Sequence, residues 1–115
     1  MRKLLVVLAT VAVSTSAIAA PALAATKTVK VGDIWFISKA KNHGTVTAKV
    51  GDTVKWVWTG KMPHNVTVTS GPVKFKSKTQ PKGTFSKKIT KAGTYKIICT
   101  VHGVKAQSMT LKVTK

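Results

Sequence analysis

The strongest constraint on this chain's fold is a period of two. Thr28-Val29-Lys30-Val31, Thr45 to Val50, Thr53 to Trp58, His64 to Val68, Tyr95 to Cys99 and Met109 to Val113 each alternate apolar and polar residues. Such alternation puts one set of side chains on a buried face and the other in water, as a half-buried strand requires. The inward sets are Val46/Ala48/Val50, Val54/Trp56/Trp58, Tyr95/Ile97/Cys99 and Met109/Leu111/Val113, with His64 also inward at the start of its run. Between them stand Gly32-Asp33, Gly51-Asp52, Gly71-Pro72 and Gln80-Pro81-Lys82-Gly83, which have turn chemistry. Ile34 to Ile37 is a short apolar run, Lys39 to Gly44 a polar loop, and Val73, Phe75, Phe85 and Ile89 the apolar side of weaker strands. No stretch beyond the N-terminal segment keeps a helical period, and there is no internal repeat or linker. The pattern predicts an all-β sandwich.

The N-terminal segment is of another kind. Arg2 and Lys3 precede an apolar run from Leu4 to Val13, and Ala22-Leu23-Ala24 is an Ala-x-Ala cleavage signal. Residues 1–24 are expected to be a cleaved signal peptide, with export across a bacterial or archaeal cytoplasmic membrane and Ala25 as the mature N-terminus. Ser14, Thr15, Ser16 and Pro21 break the apolar run and argue against a membrane anchor, and no cysteine lies at the site for lipid attachment. Residues 25–115 then form one small domain.

A domain of about 90 residues has a modest core and usually needs a staple, either disulfides or a metal. Cys99 is the single cysteine, so no internal disulfide is possible. An odd cysteine in an exported chain means intermolecular pairing, a reactive thiol or a metal ligand. Cys99 ends one alternating run and His102 follows in the next short loop. Cys-x-x-His suits a soft or borderline metal, although a buried free cysteine beside a surface histidine gives the same pattern. His64 sits upstream in Met62-Pro63-His64-Asn65-Val66, its backbone fixed by Pro63. It is either a hydrogen-bonded core residue or a third ligand; in the second case, two imidazoles and one thiolate describe a trigonal copper site with a weak axial ligand.

With these residues in place, the chain resembles the blue copper proteins, or cupredoxins, of the plastocyanin and pseudoazurin kind. The resemblance rests on Val50-Gly-Asp-Thr-Val-Lys-Trp56, Met62-Pro-His-Asn-Val66 and Gly93-Thr-Tyr through Cys99-Thr-Val-His102, in the family's order. It implies a Greek-key β-sandwich of about eight strands. At one end it implies a single type 1 copper ion, with His64, Cys99 and His102 as equatorial ligands. The axial position departs from the family's usual methionine. A gapless reading puts Gln107 there, and glutamine is an accepted axial ligand. Met109 is the alternative, but its place in the Met109/Leu111/Val113 stripe suits core packing. Gly103 stands where the family usually has a proline. The resemblance also implies a bond from Asn65 to the cysteine loop around Thr100. His43 matches no ligand position and reads as a surface histidine.

The implied function is exported, periplasmic or cell-surface electron transfer by a monomer that is not an enzyme, since no ligand position is left for substrate. Electrons would pass at the edge of His102, inside an apolar rim of Met62, Pro63, Gly103 and Val104. Charge bears on the partner. The chain's formal charge is +18, and losing Arg2 and Lys3 leaves +16. Asp33 and Asp52 are the only acids, each after a Val-Gly pair, which excludes catalysis by paired carboxylates. Such charge favours an acidic redox partner such as a cytochrome c, a copper oxidase or a dehydrogenase. Two rival readings are a copper carrier or storage protein and a basic module for anionic polymers. Export argues against nucleic acid, the resemblance weighs against zinc, and no membrane insertion is expected after cleavage.

Overall fold

The computed structural model describes residues 23–115. The expected signal peptide at residues 1–24 lies outside them, but for Leu23 and Ala24. Eight strands follow: β1 Thr26–Gly32, β2 Trp35–Phe36, β3 Thr45–Lys49, β4 Thr53–Trp58, β5 Thr67–Ser70, β6 Thr84–Lys88, β7 Gly93–Ile98 and β8 Ser108–Thr114. They form two four-stranded sheets in the orders β2-β1-β4-β6 and β3-β8-β7-β5. β1 runs parallel to β4, with Val29 opposite Trp56, and β3 runs parallel to β8, with Val46 opposite Leu111. The other pairings are antiparallel. This is the expected all-β Greek-key sandwich, and its faces follow the alternation.

Val29, Val31, Val54, Trp56 and Trp58 of the first sheet pack on Tyr95, Ile97, Met109, Leu111 and Val113 of the second. Each such side chain removed from water contributes roughly 1.5–3 kcal/mol. Trp56 lies at the centre, its ring 5.8 Å from Phe85 and 6.0 Å from Phe75, which also reaches Tyr95 at 6.2 Å.

The structure departs from simple alternation in three places. Val50 is 42% exposed, because the chain leaves β3 at Lys49 and turns through Gly51 at φ 96°. His64 is not a strand residue; it pairs with Gln80 in an isolated bridge, and His64, Asn65 and Val66 are all buried. The inward stripe there yields to side-chain bonding, since the Val66 N–H donates to Ser77 Oγ (2.9 Å). The run from Ile34 to Ile37 contributes only a two-residue strand. Asp33 and Ile34 form the turn between Gly32 and Trp35, and Ile34 adopts φ 68°. That left-handed conformation is costly for a β-branched residue, and the surroundings must hold it.

Candidate metal centre

Three pieces of chain meet at one end of the sandwich: the β1–β2 turn, the segment before β5 and the β7–β8 loop. The loop is closed at its base. The Cys99 N–H donates to Gln107 O (3.1 Å), one step beyond the Ile98–Ser108 pair. Inside it, the Gly103 N–H donates to Cys99 O (2.8 Å) and the Gln107 N–H to Gly103 O (3.0 Å). Gly103 takes φ 86°, with nothing within 4 Å of where a Cβ would stand. A proline, fixed near −65°, could not make this turn, so the loop follows a course that a proline here would forbid.

His64, Cys99 and His102 come together, their donor atoms all within 4.8 Å of one another. Cys99 Sγ lies 3.9 Å from His64 Nδ1 and 3.6 Å from His102 Nδ1, and the two rings are 4.9 Å apart. His64 and Cys99 are fully buried, whereas His102 is half-buried. One thiolate and two imidazoles are a donor set that copper favours.

Gln107 closes the same loop and is fully buried. Its Nε2 donates to Trp35 O (2.9 Å) and Gly32 O (3.1 Å), which fixes the amide's orientation and braces the turn at Ile34. Among the described residues, its buried Oε1 has no hydrogen-bond donor. An orphaned buried acceptor costs about 1–3 kcal/mol, and a bound cation is a partner that would relieve it. Met109 is differently placed. It is buried in the core, where its Sδ accepts the Trp56 indole N–H at 3.4 Å.

Asn65 ties the pieces together as expected. Its Oδ1 accepts the Thr100 N–H (3.0 Å), and its Nδ2 donates to Thr100 Oγ1 (2.7 Å) and Thr79 Oγ1 (2.9 Å). The polar loop is bound in as well, through Asn42 Nδ2 to Ala106 O (2.8 Å). His43 is exposed beside Ser108 Oγ (2.6 Å), outside the donor cluster. Exposed apolar side chains flank the histidines in the chain: Met62 is 38% exposed, Val101 51% and Val104 60%.

One residue here goes beyond its sequence reading. Asp33, read as a turn former, receives the Met62 N–H on Oδ1 (2.9 Å) and the Lys61 N–H on both oxygens (3.0 and 3.1 Å). Its Oδ1 also lies 3.0 Å from His64 Nε2. The Met62 N–H, the His64 ring and the Lys61 N–H hold its carboxyl down to about 2. Sequence spacing gives no sign of a contact across 31 positions. The nearest hint is Gly60, whose Cβ would stand 2.1 Å from Asp33 Oδ1.

Residues 28–114 match the model of the copper binding proteins of the plastocyanin/azurin family. Amicyanin-alpha of Methylorubrum extorquens is 38% identical over 95 residues, covering 77% of this chain and 80% of that protein. Among solved structures, an oxidised Met-to-Lys variant of amicyanin superposes with a TM-score of 0.63 at 28% identity, covering 76% of this chain and 81% of its own. A Cu(I) Met-to-Gln variant of amicyanin gives 0.59 at 32% identity, with the same coverage.

Proposed function

Because the chain belongs to the plastocyanin/azurin family of copper-binding proteins, and is an electron-transfer cupredoxin of amicyanin type, we propose that His64 Nδ1, Cys99 Sγ and His102 Nδ1 would hold its type 1 copper ion, with Gln107 Oε1 as the further, weaker donor. The observation that carries this assignment is the cluster of those three donors within 4.8 Å. Bound copper supplies a one-electron Cu(I)/Cu(II) couple. The protein's part is to position and to shield. Buried His64 and Cys99 anchor the site to the core, and Asn65 locks the His64 segment to the cysteine loop. His102, half-buried, offers its ring edge to a partner. Buried His64 and Cys99 also speak against a carrier or store, from which metal must leave readily.

Met62, Pro63, Gly103 and Val104, joined by Val101, form an apolar rim from which a partner can shed water during brief docking. The lysine-rich surface steers an acidic partner of the cytochrome c, copper oxidase or dehydrogenase class. Electron-transfer rates with such a partner should fall as the Debye length shrinks below about 10 Å, and salt-independent rates would remove steering from the account. The protein itself transforms no substrate. Its place of work is the periplasm or cell surface, after cleavage behind Ala24. In support, Ala25 N lies 2.9 Å from Asp52 Oδ1, where a mature N-terminal ammonium would gain an ion pair.

The test is a visible spectrum of the Cu(II)-loaded mature protein. An intense blue or green thiolate band is expected. A colourless protein that takes up no Cu(II) would overturn the assignment.

A further inference from the structure

Asp33 has more to do than close a turn. Its carboxylate is held by two main-chain N–H groups from the segment that leads into His64, and it faces the nitrogen of His64 remote from Cys99. We infer that Asp33 is the positioning residue for His64: it fixes the proton on Nε2, leaves the Nδ1 lone pair facing Cys99 Sγ, and strengthens Nδ1 as a donor to Cu(II). This rests on the reading of His64 as a ligand.

The argument is one of donors and acceptors. An ionised carboxylate only accepts hydrogen bonds, whereas a neutral imidazole donates at one nitrogen and accepts at the other. With Asp33 Oδ1 3.0 Å from Nε2, the hydrogen of the neutral ring must sit on Nε2, which leaves the lone pair on Nδ1. Partial negative charge drawn onto the ring then makes Nδ1 more basic, as carboxylates behind metal-bound histidines do. Cu(II), the more charged state, benefits more than Cu(I). The geometry is built for this contact. Met62 and Lys61 N–H groups fix the carboxylate, while Gln107 Nε2 braces the turn that bears it. Gly60 leaves the required space, since a Cβ there would stand 2.1 Å from Oδ1 and 2.4 Å from Cγ of Asp33.

A purely structural Asp33 would staple residues 61 and 62 and leave the ring indifferent. Asp33→Asn separates the two roles, because its amide oxygen can still accept those N–H bonds but carries no charge. The first measurement needs no variant: 15N NMR of the His64 ring in the metal-free protein should show a single tautomer protonated at Nε2. The second compares Asp33→Asn with the unaltered protein. Cu(II) affinity should fall about ten- to hundredfold, Cu(I) affinity should fall less, and the reduction potential should rise. Gly60→Ala, which displaces the carboxylate without touching its charge, should shift the potential in the same direction. A neutral ring protonated at Nδ1 in the metal-free protein, or an Asp33→Asn protein with unchanged Cu(II) affinity and potential, would overturn the inference. Failure of the ligand reading shows separately: adding Cu(I) would then leave the His64 Nδ1 resonance unmoved.

Discussion

Val-Gly-Asp occurs twice in this chain, and the two copies sit at opposite ends of β1. Val31-Gly32-Asp33 finishes the strand at the donor cluster, and Val50-Gly51-Asp52 meets its beginning at the far end. Gly51 answers a conformational need: its φ is 96° and nothing lies within 4 Å of a Cβ there. Gly32 answers a need for space, since its Cβ would stand 2.0 Å from the Trp35 ring. The aspartates differ likewise. Among the described residues, Asp52 accepts only main-chain donors, Ala25 N and Lys49 N, each at 2.9 Å. Asp33 accepts main-chain donors and, in addition, faces the ring of His64. The same tripeptide therefore does architectural work at one end and chemical work at the other, and the difference lies in what the fold delivers to the carboxylate.

If that division is right, changes at the donor end should move spectrum and potential, and changes at the far end should move stability alone. The largest effect is expected for Cys99→Ser, which should abolish the intense visible band of the Cu(II) protein while circular dichroism still reports a folded sandwich. Next is Gln107→Met. Replacing a hard amide oxygen with a soft thioether should favour Cu(I), raising the potential by about 59 mV for each tenfold change in the ratio of affinities. Voltammetry reads this directly, and an unchanged potential would remove Gln107 from the site.

Asp52→Asn probes the far end. The Ala25 N–H first, and then the Lys49 N–H, hold the Asp52 carboxyl below its usual value of 3.8. A carboxyl lowered in the folded state stabilises above the unfolded pKa, and that contribution is lost as pH falls through the folded value. Asp52→Asn should therefore lower stability at neutral pH and flatten the acid limb below about pH 4, as urea titrations of the metal-free protein would show. Its copper spectrum should not change; a spectral shift would break the division between the ends. The smallest effect belongs to Met109→Leu, a near volume-conserving core swap that should cost less than about 1.5 kcal/mol. It should barely move the potential, and a large shift would transfer the axial role from Gln107 to Met109.

These residues also mark how far the sequence could be read. That Cys99 and His102 come together is legible in the sequence, because their spacing is local and Tyr95, Ile97 and Cys99 share a face. His64 was legible from Pro63 and Asn65 beside it, although its expected strand gives way to an isolated bridge with Gln80. The reason is chemical: Asn65 spends its side chain on Thr79 and Thr100, and Ser77 takes the Val66 N–H, so three successive residues are buried. Alternation cannot encode such a knot. Asp33 shows in the sequence only as a turn residue, because its partners lie 28 to 31 positions away and depend on tertiary closure. Val50 looked like a core residue because periodicity does not show where a strand stops.

The parallel pairings of β1 with β4 and of β3 with β8 also bear on the order of events in time. Neither can form as a hairpin, so long loops must close before either pairing returns free energy. Sandwiches dominated by such distant contacts fold in milliseconds to seconds. The donors span His64 to His102 and meet only once β5 has aligned with β7. A nascent chain would therefore pass through a stage in which its lone thiol is exposed and His64 and His102 are still apart.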